Sequence, residues 1–302
     1  MPEHRDEEKK MIVIENDWLK VDIVRQGAEV RKVTHKKNAL DYMWTGDEAY
    51  WGRVSPILFP IVGRLKEDQY QLDGQTYKMS QHGFLRDVEF DVAEQTSTTV
   101  SFVFESLGSL VHVYPYEFTA IIRYSLMENS LIVQWQILNV NKEEMYFSIG
   151  AHPAFKVPLV ENETIEDYDL HFTPAANKNV MAYELKNSLI HEKGTANDLS
   201  TIQLTKSLFT YDALIYSNID KVSLVSTQSS HVVEVLFQSF PFVGIWSKYF
   251  ETDGTIAPFV CIEPWYGIAD TYDTTGNFKE KFGVNKLEAG ETFQAEYIMK
   301  FN

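Results

Sequence analysis

Four short segments of the chain carry side chains of the kinds that move protons or grip hydroxyl groups. In Val260-Cys-Ile-Glu-Pro-Trp-Tyr-Gly-Ile-Ala-Asp270 a carboxylate, Glu263, ends an apolar strand and is followed by proline and aromatic residues. A carboxyl group emerging from a buried strand must find hydrogen-bond partners or shift its pKa. Either outcome suits a general base near neutral pH, and the bland alternative is a structural ion pair. In Ser148-Ile-Gly-Ala-His-Pro-Ala-Phe155 the imidazole of His152 stands at a strand end, before a proline that halts regular pairing; a histidine hydrogen-bonded at a sheet rim is the competing reading. Gln81-His-Gly-Phe-Leu-Arg-Asp87 is a polar, glycine-containing stretch with a second imidazole, His82, which taken alone reads equally as a turn residue. Phe59-Pro-Ile-Val-Gly-Arg-Leu65 ends a proline-stiffened apolar run with Arg64, which offers a rigid fork of donors but taken alone reads more readily as a surface ion pair.

Together and in this order, the four segments resemble the aldose 1-epimerase (mutarotase) superfamily over most of the chain, with the LacX-like branch as the best fit. The resemblance implies that Arg64 is the sugar-binding arginine, His82 and His152 the two active-site histidines, and Glu263 the catalytic glutamate. It also implies that Asp212, in Leu208-Phe-Thr-Tyr-Asp-Ala-Leu-Ile215, binds sugar hydroxyls, although a turn carboxylate between two strands has the same local signature. Trp246 and Trp265 are candidates for stacking on a sugar face, or else are core tryptophans. The chain departs from the better-known galactose mutarotases in having Gly63-Arg64 where they have Asn-Arg, in lacking the longer aromatic motif after the second histidine, and in the residues around Glu263. These departures bear on the substrate more than on the chemistry.

The implied activity is interconversion of the α and β anomers of an aldohexose. Glu263 takes the proton of the anomeric hydroxyl, His152 protonates the ring oxygen with help from His82, the ring opens, and reclosure with the roles reversed gives the other anomer. Arg64 and Asp212 hold ring hydroxyls in the geometry from which transfer is productive. Only protons move, so neither cofactor nor metal is needed, and the chain has no HExxH, no His-x-His, no cysteine pair and no acidic calcium loop. Three other readings stand beside this one. A hexose-6-phosphate mutarotase needs extra cations near the sugar, which Arg53 and Arg86 can supply; a sugar-binding or sensing protein keeps the fold without turnover. A glycoside hydrolase needs two facing carboxylates, for which Glu263 and Asp212 are the candidates, and leaves the histidines without a purpose.

The elements that must position these residues are strands. Runs rich in Val, Ile, Phe, Tyr and Thr recur at Met11 to Ile14, Leu19 to Val24, Thr99 to Phe104, Phe118 to Leu126, Leu131 to Leu138, Val222 to Val225, Val232 to Phe237, Phe259 to Ile262 and Phe293 to Met299. Asp73-Gly74 marks a hairpin turn, and Glu288 to Glu291 another turn before the last strand. Helix is expected only as a turn or two, at Asn38 to Trp44 and Ala182 to Asn187, and long loops at Leu159 to Asp169 and Asn187 to Asp198. Without any βαβ alternation the fold class is all-β, an antiparallel β-sandwich of the galactose mutarotase-like kind implied by the resemblance.

Residues 11–302 read as one domain behind a charged, solvated segment 1–10. With 44% hydrophobic and 14% aromatic residues the chain has ample material for a deep core, which excludes global disorder. A net charge of −16 with no basic stripe disfavours nucleic acid as a partner. No apolar run approaches the ~18 residues of a membrane span. The single cysteine, Cys261, fits a reducing compartment, so the cytoplasm is the expected location and a small sugar or sugar phosphate the expected partner. Oligomeric state leaves no trace in the sequence.

Overall fold

The computed structural model describes residues 11–302; the charged segment 1–10 lies outside the described residues. Each of the apolar runs named above is a strand, and every named strand pair is antiparallel. Two large sheets dominate. One has nine strands, in the order Thr201–Gln203, Tyr168–Pro174, Ile219–Ser226, Val232–Leu236, Thr292–Phe301, Ser130–Asn139, Phe118–Met127, Thr99–Glu105 and Asp91–Gln95. The other has eight: a path through Leu189–Thr195, Met181–Lys186, Leu214–Ser217, Phe242–Trp246, Phe259–Tyr266, Ile149–Ala151 and Ile57–Leu58, with Ala154–Lys156 joining Phe259–Tyr266 beside it. A four-stranded sheet is formed by the first strands of the described chain.

Alternation along each strand decides what the sheets bury. Ile122, Val133, Trp135 and Tyr297 of the nine-stranded sheet pack in one apolar cluster with Val243, Ile245, Val260 and Ile262 of the eight-stranded sheet, so the two sheets face each other as a sandwich. The residues between these on the eight-stranded sheet point the other way. Cys261, Glu263 and Trp265 share the opposite face of Phe259–Tyr266, and Phe242, Gly244 and Trp246 that of its neighbour, with the in-register pairs Trp246↔Cys261 and Gly244↔Glu263. A slip of one residue would bury the polar set in the sandwich core, so the apolar face fixes which side chains meet on the other.

The structure departs from the sequence reading in three places. Ala182 to Asn187 is not helical: Met181–Lys186 is a strand, paired with Leu189–Thr195 on one side and Leu214–Ser217 on the other. Ala, Glu, Leu and Lys are good helix formers, but the alternation of buried Tyr183 and half-buried Leu185 with exposed Glu184 and Lys186, and two available partner strands, override that preference. The partner strand also replaces most of the loop expected over Asn187 to Asp198. Asn38 to Trp44 holds the two-residue strand Leu40–Asp41 rather than a helical turn. Among the described residues helix occurs as single 3₁₀ turns, at Lys66–Asp68, Leu85–Asp87, Ile165–Asp167 and Phe278–Glu280. The hairpin stands where expected, with Asp73 and Gly74 both at positive φ between Gln69–Leu72 and Gln75–Lys78. No helix among the described residues is long and apolar enough to cross a membrane.

Candidate active site

The strand that carries Glu263 does not end there. It runs on through Pro264 to Tyr266, because Pro264 can sit opposite Val243 without donating while its neighbours keep the ladder. Glu263 therefore projects from the middle of a central strand and is 1% exposed. His152 lies between the short strands Ile149–Ala151 and Ala154–Lys156, which both pair with Phe259–Tyr266. Pro153 after it breaks the ladder, and the His152 amide instead donates to the carbonyl of Pro56 at 3.1 Å. This local break delivers the imidazole onto the carboxylate: His152 Nε2 lies 3.2 Å from Glu263 Oε2.

His82 comes from a loop held by backbone pairing. Its amide donates to the Gly63 carbonyl at 2.9 Å, and the Gly63 amide donates to its Nδ1 at 3.1 Å. A ring nitrogen that accepts cannot carry the proton, so neutral His82 bears it on Nε2, as a hydrogen-bond donor. Both His82 and Gly83 sit at positive φ, and a Cβ on Gly83 would come 2.2 Å from the Phe59 carbonyl oxygen, so only glycine lets the loop approach this closely. The His82 and His152 rings meet edge to face with centroids 5.5 Å apart.

Aromatic rings close the remaining sides of His152. Trp51 stacks on it at 4.7 Å and 30°, and Trp246 meets it at 5.8 Å and 80°. Trp265 lies flat across the sheet above Gly244, where any Cβ would sit 2.3 Å from the indole. Arg64, His82, His152, Asp212, Trp246, Glu263 and Trp265, the seven residues singled out from sequence, all line one pocket of about 230 Å³. That is below the roughly 300–1,000 Å³ of sites for drug-sized ligands and suits a small polar molecule.

The electrostatics of the pair run in opposite directions. Burial holds the Glu263 carboxyl well above the usual carboxylate range, reinforced by the nearby Asp212 charge and opposed by the Trp265 indole. Burial pushes His152 down to about 3, with the positive charges of Arg86 and Arg53 adding to it against a backbone hydrogen bond. His82 is lowered as well, by desolvation first and then by His152, Arg86 and Arg53. Asp212 is itself raised by burial, against a hydrogen bond from the Ala213 amide; it adopts φ +96, a strained conformation for a residue with a side chain. Burial thus favours the uncharged forms of both histidines and of Glu263.

Arg64 reaches the pocket rim, but its fork is bound bidentately by Asp68 at 2.8 and 2.9 Å, the ion-pair fate open to it from sequence. The arginine facing the histidines from a sheltered position is Arg86: its side chain is 17% exposed, and its Nε makes no hydrogen bond but lies 4.0 Å from an Asp87 carboxylate oxygen. Arg86 and Trp51 line the pocket as well; the sequence offered Arg86 only as a phosphate-binding cation and did not single out Trp51. Arg86 stands inside the quoted His82 segment, whereas nothing around Trp51 marks it, because its stacking on His152 depends on a long-range approach.

The whole chain compares with known proteins as this geometry leads one to expect. Residues 10–300 match the family model described as aldose 1-epimerase. The chromosomal LacX protein of Lactococcus lactis subsp. lactis is 30% identical over 297 residues, covering 95% of this chain and 97% of that protein. Among solved structures, a galactose mutarotase related enzyme from Lactobacillus acidophilus superposes with a TM-score of 0.91 at 36% identity, covering 97% of each chain. A galactose mutarotase-like protein from Lactobacillus casei gives 0.88 at 31%, covering 97% of this chain and 100% of that one. The match along the whole length, together with these relatives, means that the chain belongs to the aldose 1-epimerase family, in its LacX-like branch.

Proposed function

We propose that the protein interconverts the α and β anomers of a free aldohexose by general acid–base ring opening and reclosure, with Glu263 and His152 as the proton-transfer pair. The carrying observation is the 3.2 Å approach of His152 Nε2 to Glu263 Oε2 inside a pocket walled by Trp51, Trp246 and Trp265. The close approach lets one proton pass between the carboxyl and the imidazole. In one form it sits on Glu263; in the other Glu263 is the carboxylate and His152 the imidazolium. The second form presents a base for the anomeric hydroxyl and an acid for the ring oxygen, and transfer across the sugar exchanges the two roles for reclosure. Neutral His82 donates its Nε2 proton to the substrate oxygen at which charge develops. Asp212 and the rim residue Arg64 hold ring hydroxyls, and Trp246 and Trp265 offer apolar faces to the sugar ring.

The pH profile of kcat/KM tests this. The shared proton is present between the protonation of His152, near 3, and the ionisation of Glu263, well above the usual carboxylate range. Below this window the pair holds two protons and has no base; above it the pair holds none and has no acid. The profile is therefore a plateau with two falling limbs. Asp212→Asn removes a negative charge that raises Glu263, so the alkaline limb moves to lower pH while the acid limb stays. An alkaline limb that stays put or moves upward contradicts the assignment.

A phosphorylated hexose is the second reading, because Arg86 joins the pocket to a groove that also contains Arg25, Arg31 and Arg53. The free hexose is favoured because three of these arginines are already paired, Arg25 with Asp91, Arg31 with Glu29 and Arg53 with Asp87. Exchange on glucose 6-phosphate without exchange on free hexoses reverses that order. A glycoside hydrolase is disfavoured because its pair of carboxylates leaves the imidazole 3.2 Å from Glu263 without a role. We also take residues 11–302 to act as one unit in the cytoplasm, a reading supported by the family match over residues 10–300 and by a lone buried cysteine.

A further inference from the structure

Proton transfer uses His152 and Glu263 but leaves their buried neighbour, the Cys261 thiol, without a purpose. Cys261 lies two residues before Glu263 on the same face of the strand, beneath the pocket, among Trp44, Ala154, Ala257 and Phe259. A buried cysteine is ordinarily a small apolar side chain. This one is placed differently: its Sγ, a ring nitrogen of His152 and a carboxylate oxygen of Glu263 all lie within 4.8 Å of one another. The three residues are 0%, 6% and 1% exposed, and both His152 Nδ1 and Glu263 Oε2 lack a hydrogen-bond partner. One thiol, one imidazole and one carboxylate, converging from two segments with polar atoms unspent, make a ligand set.

The donor types select the ion. Thiolate and imidazole favour zinc and similar borderline-soft cations, which take three protein ligands and keep a fourth position open. Magnesium and calcium demand many oxygen ligands, of which the set offers a carboxylate alone. The edge between His152 and Glu263 is already 3.2 Å, and small side-chain shifts bring all three donors to the ~2.0–2.3 Å bonds of zinc, with the open position toward the pocket.

We propose that Cys261, His152 and Glu263 form a binding site for zinc-class divalent cations, and that occupancy switches the protein off by holding both members of the proton-transfer pair. The metal displaces the thiol proton and any proton on Glu263 to solvent, forming metal–sulfur, metal–nitrogen and metal–oxygen bonds without redox change. The binding half stands on geometry alone; the switching half rests on the anomer-exchange reading. Signatures read from sequence miss such a site because His152 is remote from Cys261 along the chain.

The test is a titration of the chelator-stripped full chain with cobalt(II), which reports a thiolate ligand by a ligand-to-metal charge-transfer band. The expected result is that band in the unmodified protein, its displacement by zinc, and its absence in Cys261→Ser. Losing a direct ligand should weaken zinc binding at least as much as the 10–100-fold typical of losing an outer-shell partner, so zinc inhibition of anomer exchange weakens by roughly tenfold or more in the variant. The variant keeps its metal-free exchange, EDTA restores the inhibited unmodified protein, and magnesium does nothing. Cys261→Ala serves in place of serine if the buried hydroxyl prevents folding. No charge-transfer band, or equal zinc sensitivity in the unmodified protein and the variant, overturns the site. A band in a protein that catalyses no exchange without metal retains the site and overturns the anomer-exchange reading instead.

Discussion

Glu263→Gln is expected to lower anomer exchange by about 10²–10⁴-fold, the usual worth of a positioned acid–base group, while leaving sugar binding nearly intact. The change is close to isosteric, so the pocket shape and the Trp265 floor over Gly244 persist. What goes is the atom that, in the proposed mechanism, takes a proton from the anomeric hydroxyl and gives it back. An amide in that place also leaves His152 without the group that converts it to the imidazolium, so the two halves of the chemistry fail together. Exchange measured by magnetisation transfer between anomeric proton signals, and binding measured by tryptophan fluorescence through Trp246 and Trp51, separate the effects. Equal loss of both would mean that Glu263 holds the sugar rather than transforming it.

The other large effect is expected far from any proton. Gly83→Ala combines a left-handed backbone with a Cβ 2.2 Å from the Phe59 carbonyl oxygen and 2.8 Å from Pro60 Cδ, so backbone must move against backbone. Conformational strain and overpacking each cost about 1–3 kcal/mol, giving about 2–6 kcal/mol of lost stability. The same displacement takes His82 away from Gly63 and out of the wall shared with His152. Gly74→Ala is the control: it shares the positive φ, but its Cβ meets nothing within 4 Å, so only the strain term applies. Urea midpoints of the two variants measure the difference, and equal losses would show that close approach at Gly83 contributes nothing.

Strand positions were legible because period-two burial is written directly into stretches such as Phe118–Met127 and Ser130–Asn139, each with one face against the sandwich core. The helical turn expected at Ala182 to Asn187 gives way to the strand Met181–Lys186 because the residues prefer helix locally, whereas the strand state depends on partners that pair with it from elsewhere in the chain. The same distinction divides the pocket. His82, His152 and Glu263 sit in segments that the family resemblance marks, and the structure brings them to one place. Trp51 and the Cys261 thiol become meaningful through distances to His152 that no local pattern encodes. Arg64 and Arg86 make the point with one residue type: both stand in marked segments, but Asp68 four residues on occupies the first, while the half-buried position of the second emerges only from the folded loop.

The central claim, that the pair Glu263 and His152 opens and recloses a sugar ring, is tested most directly by NMR anomeric exchange with the unmodified protein across aldohexoses and their 6-phosphates. The account predicts exchange above the uncatalysed rate on at least one free aldohexose, without added metal or cofactor. Tight binding of a free sugar with no acceleration for any member of the panel would contradict it and make the protein a sugar-binding member of its family.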